Sequence, residues 1–307
     1  MAWSAADIPD QSGRVAIVTG GNGGLGLETA RALARAGCEV ILAARNATKA
    51  GSALADLYES VPTARAAVWS LDLSSLASVR EFSARWLRER GALDLLVNNA
   101  GVMALPRTLS ADGFEMQFAT NHLGHFALTL GLMPALQAGT SARVVTVSSA
   151  MHMVGRIRFD DIDGAAGYSP WPWYGQSKLA NLLFTAELDR RLRKSRSRVA
   201  SLAAHPGYAA TDLQYVAGRV RGAAVETAFM RVGNTIFAQS AGDGALPTLR
   251  AATDPAAEGG QYWGPQWLGW FGAPTLVGRS SAARDEEVAG KLWALSEART
   301  GLSLALV

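Results

Sequence analysis

The chain has 307 residues, 49% of them apolar and 18% charged, with a net charge of +3. That is material for one sizeable α/β domain, and so slight an excess of base gives no strong case for nucleic acid as a partner. A single cysteine, Cys38, excludes an internal disulfide, and no apolar run reaches the roughly 18–20 residues of a membrane span. Residues 1–13 form a polar tail with Asp7 and Asp10 and no basic or apolar leader pattern, so the expected compartment is the cytoplasm, without membrane insertion.

From residue 14 onward a single domain is expected. Residues 14–19 (RVAIVT) read as a buried strand and 25–35 as a helix. Strands follow at 39–44, 66–71, 93–98 and 143–148, with helices over 76–90 and 115–136. A helix at 174–193 and a strand at 198–204 continue the alternation, after which regularity weakens and aromatic residues become frequent. Continuous apolar strands separated by helices predict an α/β fold: a doubly wound parallel sheet with helices on both faces. Cys38 is expected to be a small core residue. The basic stretch Arg190, Arg191, Arg193, Lys194, Arg196 and Arg198 closes a predicted helix, where cations suit the negative end of its dipole.

Ligands of such sheets bind beyond the carboxyl ends of the strands, so the residues there carry the functional reading. The first strand runs into Thr19-Gly20-Gly21-Asn22-Gly23-Gly24-Leu25-Gly26. Glycines between a strand and a helix let backbone approach a pyrophosphate, and the helix start offers it free N–H groups. Gly20, Asn22, Gly24, Leu25 and Gly26 are therefore candidate cofactor contacts. At the second strand, Glu39 lies at the expected sequence distance for a ribose-binding acid. It begins the strand, however, about 17 Å from the carboxyl end. Ala44 stands where the acid would be and Arg45 follows. A guanidinium fork suits a 2′-phosphate, so NADP(H) is expected, Lys49 assisting, with NAD(H) as the alternative. Tyr174 and Lys178 are four apart and share a helix face. A cation within about 4–6 Å would lower the phenol's pKa and make it an acid–base group.

The order Thr-Gly-x-x-x-Gly-x-Gly, Asn98-Asn99-Ala100-Gly101, Asn121-His122-Leu123-Gly124, Ser148-Ser149, Tyr174-x-x-x-Lys178 and Pro206-Gly207 resembles the short-chain dehydrogenase/reductase family over nearly the whole chain. Several of these wordings are most similar to the branch containing retinol dehydrogenases and protochlorophyllide reductases. The resemblance implies a single Rossmann-type domain and a catalytic set of Asn121, Ser149, Tyr174 and Lys178. It makes Ser149, the second of the pair, the hydroxyl that orients the carbonyl, and places Ser148 nearer the cofactor or the core. Asn121 would kink its helix and hold a water for proton relay, and Lys178 would also hold the nicotinamide ribose. Asp72 and Leu73 correspond to the adenine-contacting pair, and Asn99, Ala100 and Gly101 to the backbone beside the adenine ribose. Pro206 and Gly207 would pass the nicotinamide, with Thr211 reaching the carboxamide or pyrophosphate.

Ser149 and Tyr174 are 25 positions apart, which implies an inserted loop bordering the substrate pocket. Its Asp160, Asp161 and Asp163 read as a solvated loop rather than a metal site. His122 and His125 have no third ligand nearby and read as packing or surface residues, so no metal is expected. A substrate lid is expected within 209–280, chiefly 209–230, and Trp263, Trp267, Trp270 and Phe271 either border an apolar pocket or pack the domain end. The expected partner is a small alcohol or carbonyl, apolar or aromatic, with a homo-oligomer left open. The competing class is a nucleotide sensor or scaffold that kept the fold without catalysis, and a smaller alternative is an isomerase or dehydratase using the same tyrosine.

Overall fold

The apolar runs become strands of one eight-stranded sheet: β1 (Val15–Thr19), β2 (Glu39–Ala44), β3 (Arg65–Ser70), β4 (Leu95–Asn98), β5 (Arg143–Val147), β6 (Ala200–Ala204), β7 (Tyr262–Trp267) and β8 (Phe271–Leu276). The structure, a computed structural model, describes residues 2–207 and 239–306. The spatial order is β3-β2-β1-β4-β5-β6-β7-β8. The first seven strands pair in parallel and β8 runs antiparallel to β7. The chain starts mid-sheet, winds outward to β3, then returns to the other side of β1. The crevice above the β1–β4 boundary is where such a sheet binds ligands.

Helices α1 (Gly24–Arg35), α2 (Ala47–Ser60) and α3 (Leu76–Glu89) make the first crossovers. Leu27, Ala30, Leu33 and Ala34 form the buried stripe of α1, at helical spacing. Asn46 and Ser75 cap α2 and α3 through their side chains. Cys38 is buried just before β2, and burial pushes its thiol up to about 12. Glu39 opens β2 at its amino end and pairs with Arg90, far from the crevice.

The helix expected over 115–136 is not continuous. A short turn (Met116–Phe118) passes into a π-helical stretch (Ala119–Leu123), then α4 (Gly124–Gly131) and α5 (Met133–Ala138). In the π stretch the Ala119 carbonyl accepts from Gly124 N–H, five residues on. The break before α5 coincides with Pro134, which has no N–H to extend the ladder. Helix α6 (Pro170–Lys194) begins four residues before Tyr174, with Pro170 at its first turn after Ser169. The basic stretch closes α6 as expected, and its arginines are also paired: Arg190 and Arg191 on Glu187, and Arg193 on Asp189.

Beyond the undescribed segment the chain is more regular than its composition suggests, with α7 (Ala241–Thr253) before β7 and α8 (Glu286–Thr300) at the end. Strands β7 and β8 carry Pro265 and Pro274, residues that argue against a central strand. Pro274 is tolerated on the sheet edge, and the β7–β8 register shifts between Pro265 and Trp267. Helix α8 lies on α6: Trp293 stacks on Phe184 at 6.0 Å and meets Phe126 edge-on at 4.9 Å. His122 donates to Ser296 Oγ across the same layer, because the serine's own proton goes to the Leu292 carbonyl. Trp293→Ala should therefore cost about 3–5 kcal/mol of stability, measured as a lower urea midpoint. A loss below about 1 kcal/mol would show that α8 contributes little to the core.

Candidate active site

Thr19 ends β1 and organises the dinucleotide end. Its hydroxyl accepts from Asn99 N–H and Ala100 N–H, both at 2.9 Å, while Asn99 Nδ2 donates to the Thr19 carbonyl at 2.8 Å. The turns after β1 and β4 are thus joined directly. Gly20 adopts φ +66°, which favours glycine. A Cβ on Gly26 would run into the Gly20 carbonyl and lie 2.6 Å from Asn99 Nδ2. The start of α1 at Gly23 has no side-chain cap, and a Cβ on Gly23 would meet nothing within 4 Å. Free helix N–H groups facing open space, with Gly24 and Leu25 in the first turn and Asn22 just before them, fit a pyrophosphate.

Arg45 follows β2, exposed, with Nη1 3.6 Å from Asp72 Oδ2. Asp72 also shapes the turn before α3, its Oδ1 accepting from Ser74 N–H at 2.9 Å and from the Ser74 hydroxyl at 2.6 Å. Leu73 packs its side chain into the core, and its carbonyl lies against Gly124 of α4. Lys49 is exposed in the first turn of α2. Gly101 lies against the reacting cluster: a Cβ there would sit 3.1 Å from Asn121 Oδ1 and 3.6 Å from Lys178 Nζ.

At the reacting end the two serines diverge, as alternation along a strand requires. The Ser149 hydroxyl accepts from Met151 N–H at 3.2 Å and is the polar neighbour that favours the charged form of Tyr174. The Ser148 hydroxyl is buried and donates to the Lys178 carbonyl at 2.8 Å, which ties the end of β5 to α6. Tyr174 and Lys178 are only 5% and 3% exposed. Lys178 Nζ donates to the Val147 carbonyl at 3.1 Å and lies 5.8 Å from the Tyr174 ring centroid. The expected lowering of the phenol pKa by this cation is not what the chain alone produces. Burial pushes Tyr174 up to about 12, only partly opposed by the nearby Ser149 hydroxyl, and pulls Lys178 down to about 8. A dry site disfavours both charged forms, and that outweighs their mutual attraction.

Asn121 sits inside the π stretch with every side-chain polar atom engaged. Its Oδ1 accepts from Val102 N–H at 2.7 Å, and Nδ2 donates to the Val102 carbonyl and to Ser177 Oγ, each at 2.9 Å. Ser177 in turn donates to the Tyr174 carbonyl at 2.8 Å. Sequence reasoning passed over Ser177 and left Thr19 out of the site. The signal for Thr19 was its place as the last residue of β1, whereas a serine inside a helix carries none. His122 and His125 are fully buried, so the surface reading fails for both. His205, buried at the end of β6, accepts from Gly207 N–H through Nδ1, and Gly207 has φ +70° after Pro206. Thr211 and the 209–230 part of the expected lid lie outside the described residues.

The loop between Ser149 and α6 is anchored rather than merely solvated. Asp163 pairs with Arg299 at 2.7 Å and accepts from Glu115 N–H at 2.9 Å, and Asp161 accepts from Ala165 N–H at 2.6 Å. Asp160 is exposed. Trp171 meets Tyr174 edge-on, ring centroids 6.2 Å apart at 81°. Of the later aromatics, Trp263 packs the core, while Trp267, Trp270 and Phe271 are exposed at the β7–β8 turn. Among the described residues no group of three or more His, Cys, Asp or Glu could hold a metal, and no helix is long and apolar enough to cross a membrane.

Comparison with known proteins agrees with this geometry. The sequence pattern described as short chain dehydrogenase matches residues 14–219. Retinol dehydrogenase 12 of Mus musculus is 38% identical over 286 residues, covering 92% of this chain and 85% of the relative. Polyprenol dehydrogenase of Mus musculus is 41% identical over 298 residues, covering 96% and 86%. A solved structure of a protein from Mycobacterium paratuberculosis is 43% identical and superposes with a TM-score of 0.82 over 100% of both chains. The chain belongs to the short-chain dehydrogenase family of oxidoreductases, in the branch similar to the retinol dehydrogenases.

Proposed function

We propose that the protein is an NADP(H)-dependent oxidoreductase that interconverts a carbonyl and an alcohol, with Tyr174 as general acid and base. The observation that carries this reading is the joint burial of Tyr174 and Lys178, with Lys178 Nζ 5.8 Å from the Tyr174 ring centroid and bonded to the Val147 carbonyl at the carboxyl end of β5. The glycine turn, the uncapped start of α1 and the Asn99–Gly101 backbone fit the phosphates and adenosine of a dinucleotide, and Lys178 would hold the nicotinamide ribose. Bound there, the nicotinamide supplies or accepts the hydride.

In reduction, Ser149 orients and polarises the carbonyl oxygen, and Tyr174 gives that oxygen its proton. A phenol held protonated by burial is suited to this direction. In oxidation, Tyr174 takes the proton, and the Lys178 ammonium offsets the phenolate charge in a dry site where water cannot. Asn121 holds the loop after β4 through Val102, and Ser177 fixes the Tyr174 backbone beneath it.

Arg45 supports NADP(H) over NAD(H). It stands where the ribose 2′ position is read, and its long, exposed pairing with Asp72 is of a kind worth little, so the guanidinium can turn to a phosphate. Trp171 against Tyr174 supports an apolar or aromatic substrate, and relatives named for retinol and polyprenol fit that class. The lone buried thiol of Cys38 suits the reducing cytoplasm. A catalytically silent sensor is disfavoured because Asn121, Ser149, Tyr174 and Lys178 are all in place.

Wild-type protein should reduce at least one of benzaldehyde, acetophenone and hexanal with NADPH, and Tyr174→Phe should lower kcat by roughly 100-fold or more. Tight NADPH binding with no turnover of any carbonyl would support the sensor instead. Arg45→Ala should weaken NADPH binding by about 10-fold, on the scale of one lost charged contact, and leave NADH nearly unchanged; equal effects would remove the 2′-phosphate assignment. Lys178 adds a pH dependence to stability. Its pKa is about 8 folded against 10.5 in the open chain, so between those values the unfolded state holds more protons and stability rises with pH. Lys178→Met should be the more stable protein below pH 8, and its advantage should shrink by about 3 kcal/mol toward pH 10.5. Parallel unfolding curves across that window would contradict a buried ammonium.

A further inference from the structure

His125 is fully buried, and neither ring nitrogen is idle. Nδ1 lies 3.0 Å from the Asn121 carbonyl oxygen and Nε2 lies 2.9 Å from Thr19 Oγ1. A carbonyl only accepts, so Nδ1 must carry the proton. Burial holds the ring neutral, at about 4, which leaves Nε2 bare and makes the Thr19 hydroxyl its donor. That hydroxyl has one proton to give. Directed to Nε2 at 2.9 Å rather than to the Val97 carbonyl at 3.3 Å, it turns both oxygen lone pairs to Asn99 N–H and Ala100 N–H. The hydrogen-bonding capacity of Thr19 is then complete: one bond given and two accepted.

The same ring therefore touches both ends of the site. On one side Thr19 fixes the turns after β1 and β4, where the adenosine half of a dinucleotide would lie. On the other, the Asn121 carbonyl is in the π stretch, where the ordinary helical ladder is broken, and the Asn121 side chain continues through Ser177 to the Tyr174 backbone.

We propose that His125 is a positioning residue: fixed as the Nδ1–H tautomer, it joins the Asn121 carbonyl to the Thr19 hydroxyl and so holds the proton-transfer cluster in register with the dinucleotide turn. This rests on the oxidoreductase reading above, but the tautomer does not depend on turnover. The two links can be separated. In His125→Gln the side-chain amide reaches the Nε2 position and keeps the Thr19 link. In His125→Asn the shorter amide keeps the link to the Asn121 carbonyl. His125→Phe fills the space and keeps neither.

The test combines three readouts on the full chain: the ring tautomer by nitrogen-15 NMR, NADPH dissociation by fluorescence, and kcat with the carbonyl that wild type reduces fastest among benzaldehyde, acetophenone and hexanal. The tautomer should be Nδ1–H. His125→Gln should keep NADPH affinity within about threefold and lose roughly 10-fold or more in kcat, the scale of a small misplacement of reacting groups. His125→Asn should do the reverse, with kcat nearly kept and NADPH affinity about 10-fold weaker, equivalent to one hydrogen bond. His125→Phe should lose both. Trp293→Phe, which thins the same helix layer away from the site, should lower the melting temperature and move neither constant. An Nε2–H tautomer overturns the proposal. So do parallel losses in the Gln and Asn variants that follow their melting temperatures, the pattern of a histidine that only fills space. If wild type reduces none of the three carbonyls, the functional reading fails on its own, and the tautomer with the NADPH affinities of the Gln and Asn variants still decides the role of His125.

Discussion

The burial of Lys178 sets the terms for the rest of the site. An ammonium 3% exposed has lost its water, and it is held by the Val147 carbonyl rather than by a carboxylate. Among the described residues no acidic side chain forms an ion pair with it. Such a cation is destabilising until a negative charge forms beside it, and the group placed to form one is the Tyr174 phenol. The same dryness keeps that phenol protonated at rest. A phenolate at Tyr174 would be the stabilising partner for that charge, as the proposed proton transfer requires.

Holding that arrangement requires the sheet to be rigid at its carboxyl edge. Val147 ends β5, Thr19 ends β1 and Asn98 ends β4, and these strands are neighbours in the order β1-β4-β5. Parallel pairing brings Asn98 level with Thr146 and Val18 level with Val97, so the three turns emerge at one height. Side chains then complete what backbone pairing begins. Thr19 joins the first two turns, Ser148 ties β5 to α6, and Asn121 fills the gap between the β4 turn and α6. Each of these bonds is worth about 1 kcal/mol alone; their effect here is to remove freedom from atoms that must meet a ligand within a few tenths of an ångström.

Much of this was readable from residues because strand and helix periods repeat over many positions. The strands β1 to β6 were found within two residues of their ends, and Arg45 and Ser149 follow β2 and β5 in the chain. What escaped is local and paid for elsewhere in the chain. The π stretch at Asn121 is stabilised by Val102, nineteen positions away, so no window around it shows the defect. The start of α6 at Pro170 falls inside the stretch between Ser149 and Tyr174 that reads as an inserted loop, although Pro170 suits a first turn. β7 and β8 carry glycine and proline that tertiary pairing overrides. The direction of the Tyr174 shift failed for a different reason: spacing fixes that Lys178 is near, but only packing shows that both groups are dry.

The loops flanking the candidate site are built by different rules from the sheet edge. Tyr168, in the loop before α6, bonds to Gln117 at 2.7 Å, to the Leu105 carbonyl at 2.9 Å and to buried Glu115 at 3.0 Å. Burial raises the Glu115 pKa, against the Gln117 and Phe118 N–H groups and the Tyr168 hydroxyl that donate to its carboxylate. The network joins the loop after β4 to the loop before α6 without touching Thr19, Ser149 or Lys178. Trp171, carried on the first turn of α6, is aimed at the Tyr174 ring from this anchored loop. The sheet edge and the loop network are thus two separate sets of constraints. The two can vary separately, because the first is fixed by strand register and the second by hydrogen bonds among residues that strand register does not constrain.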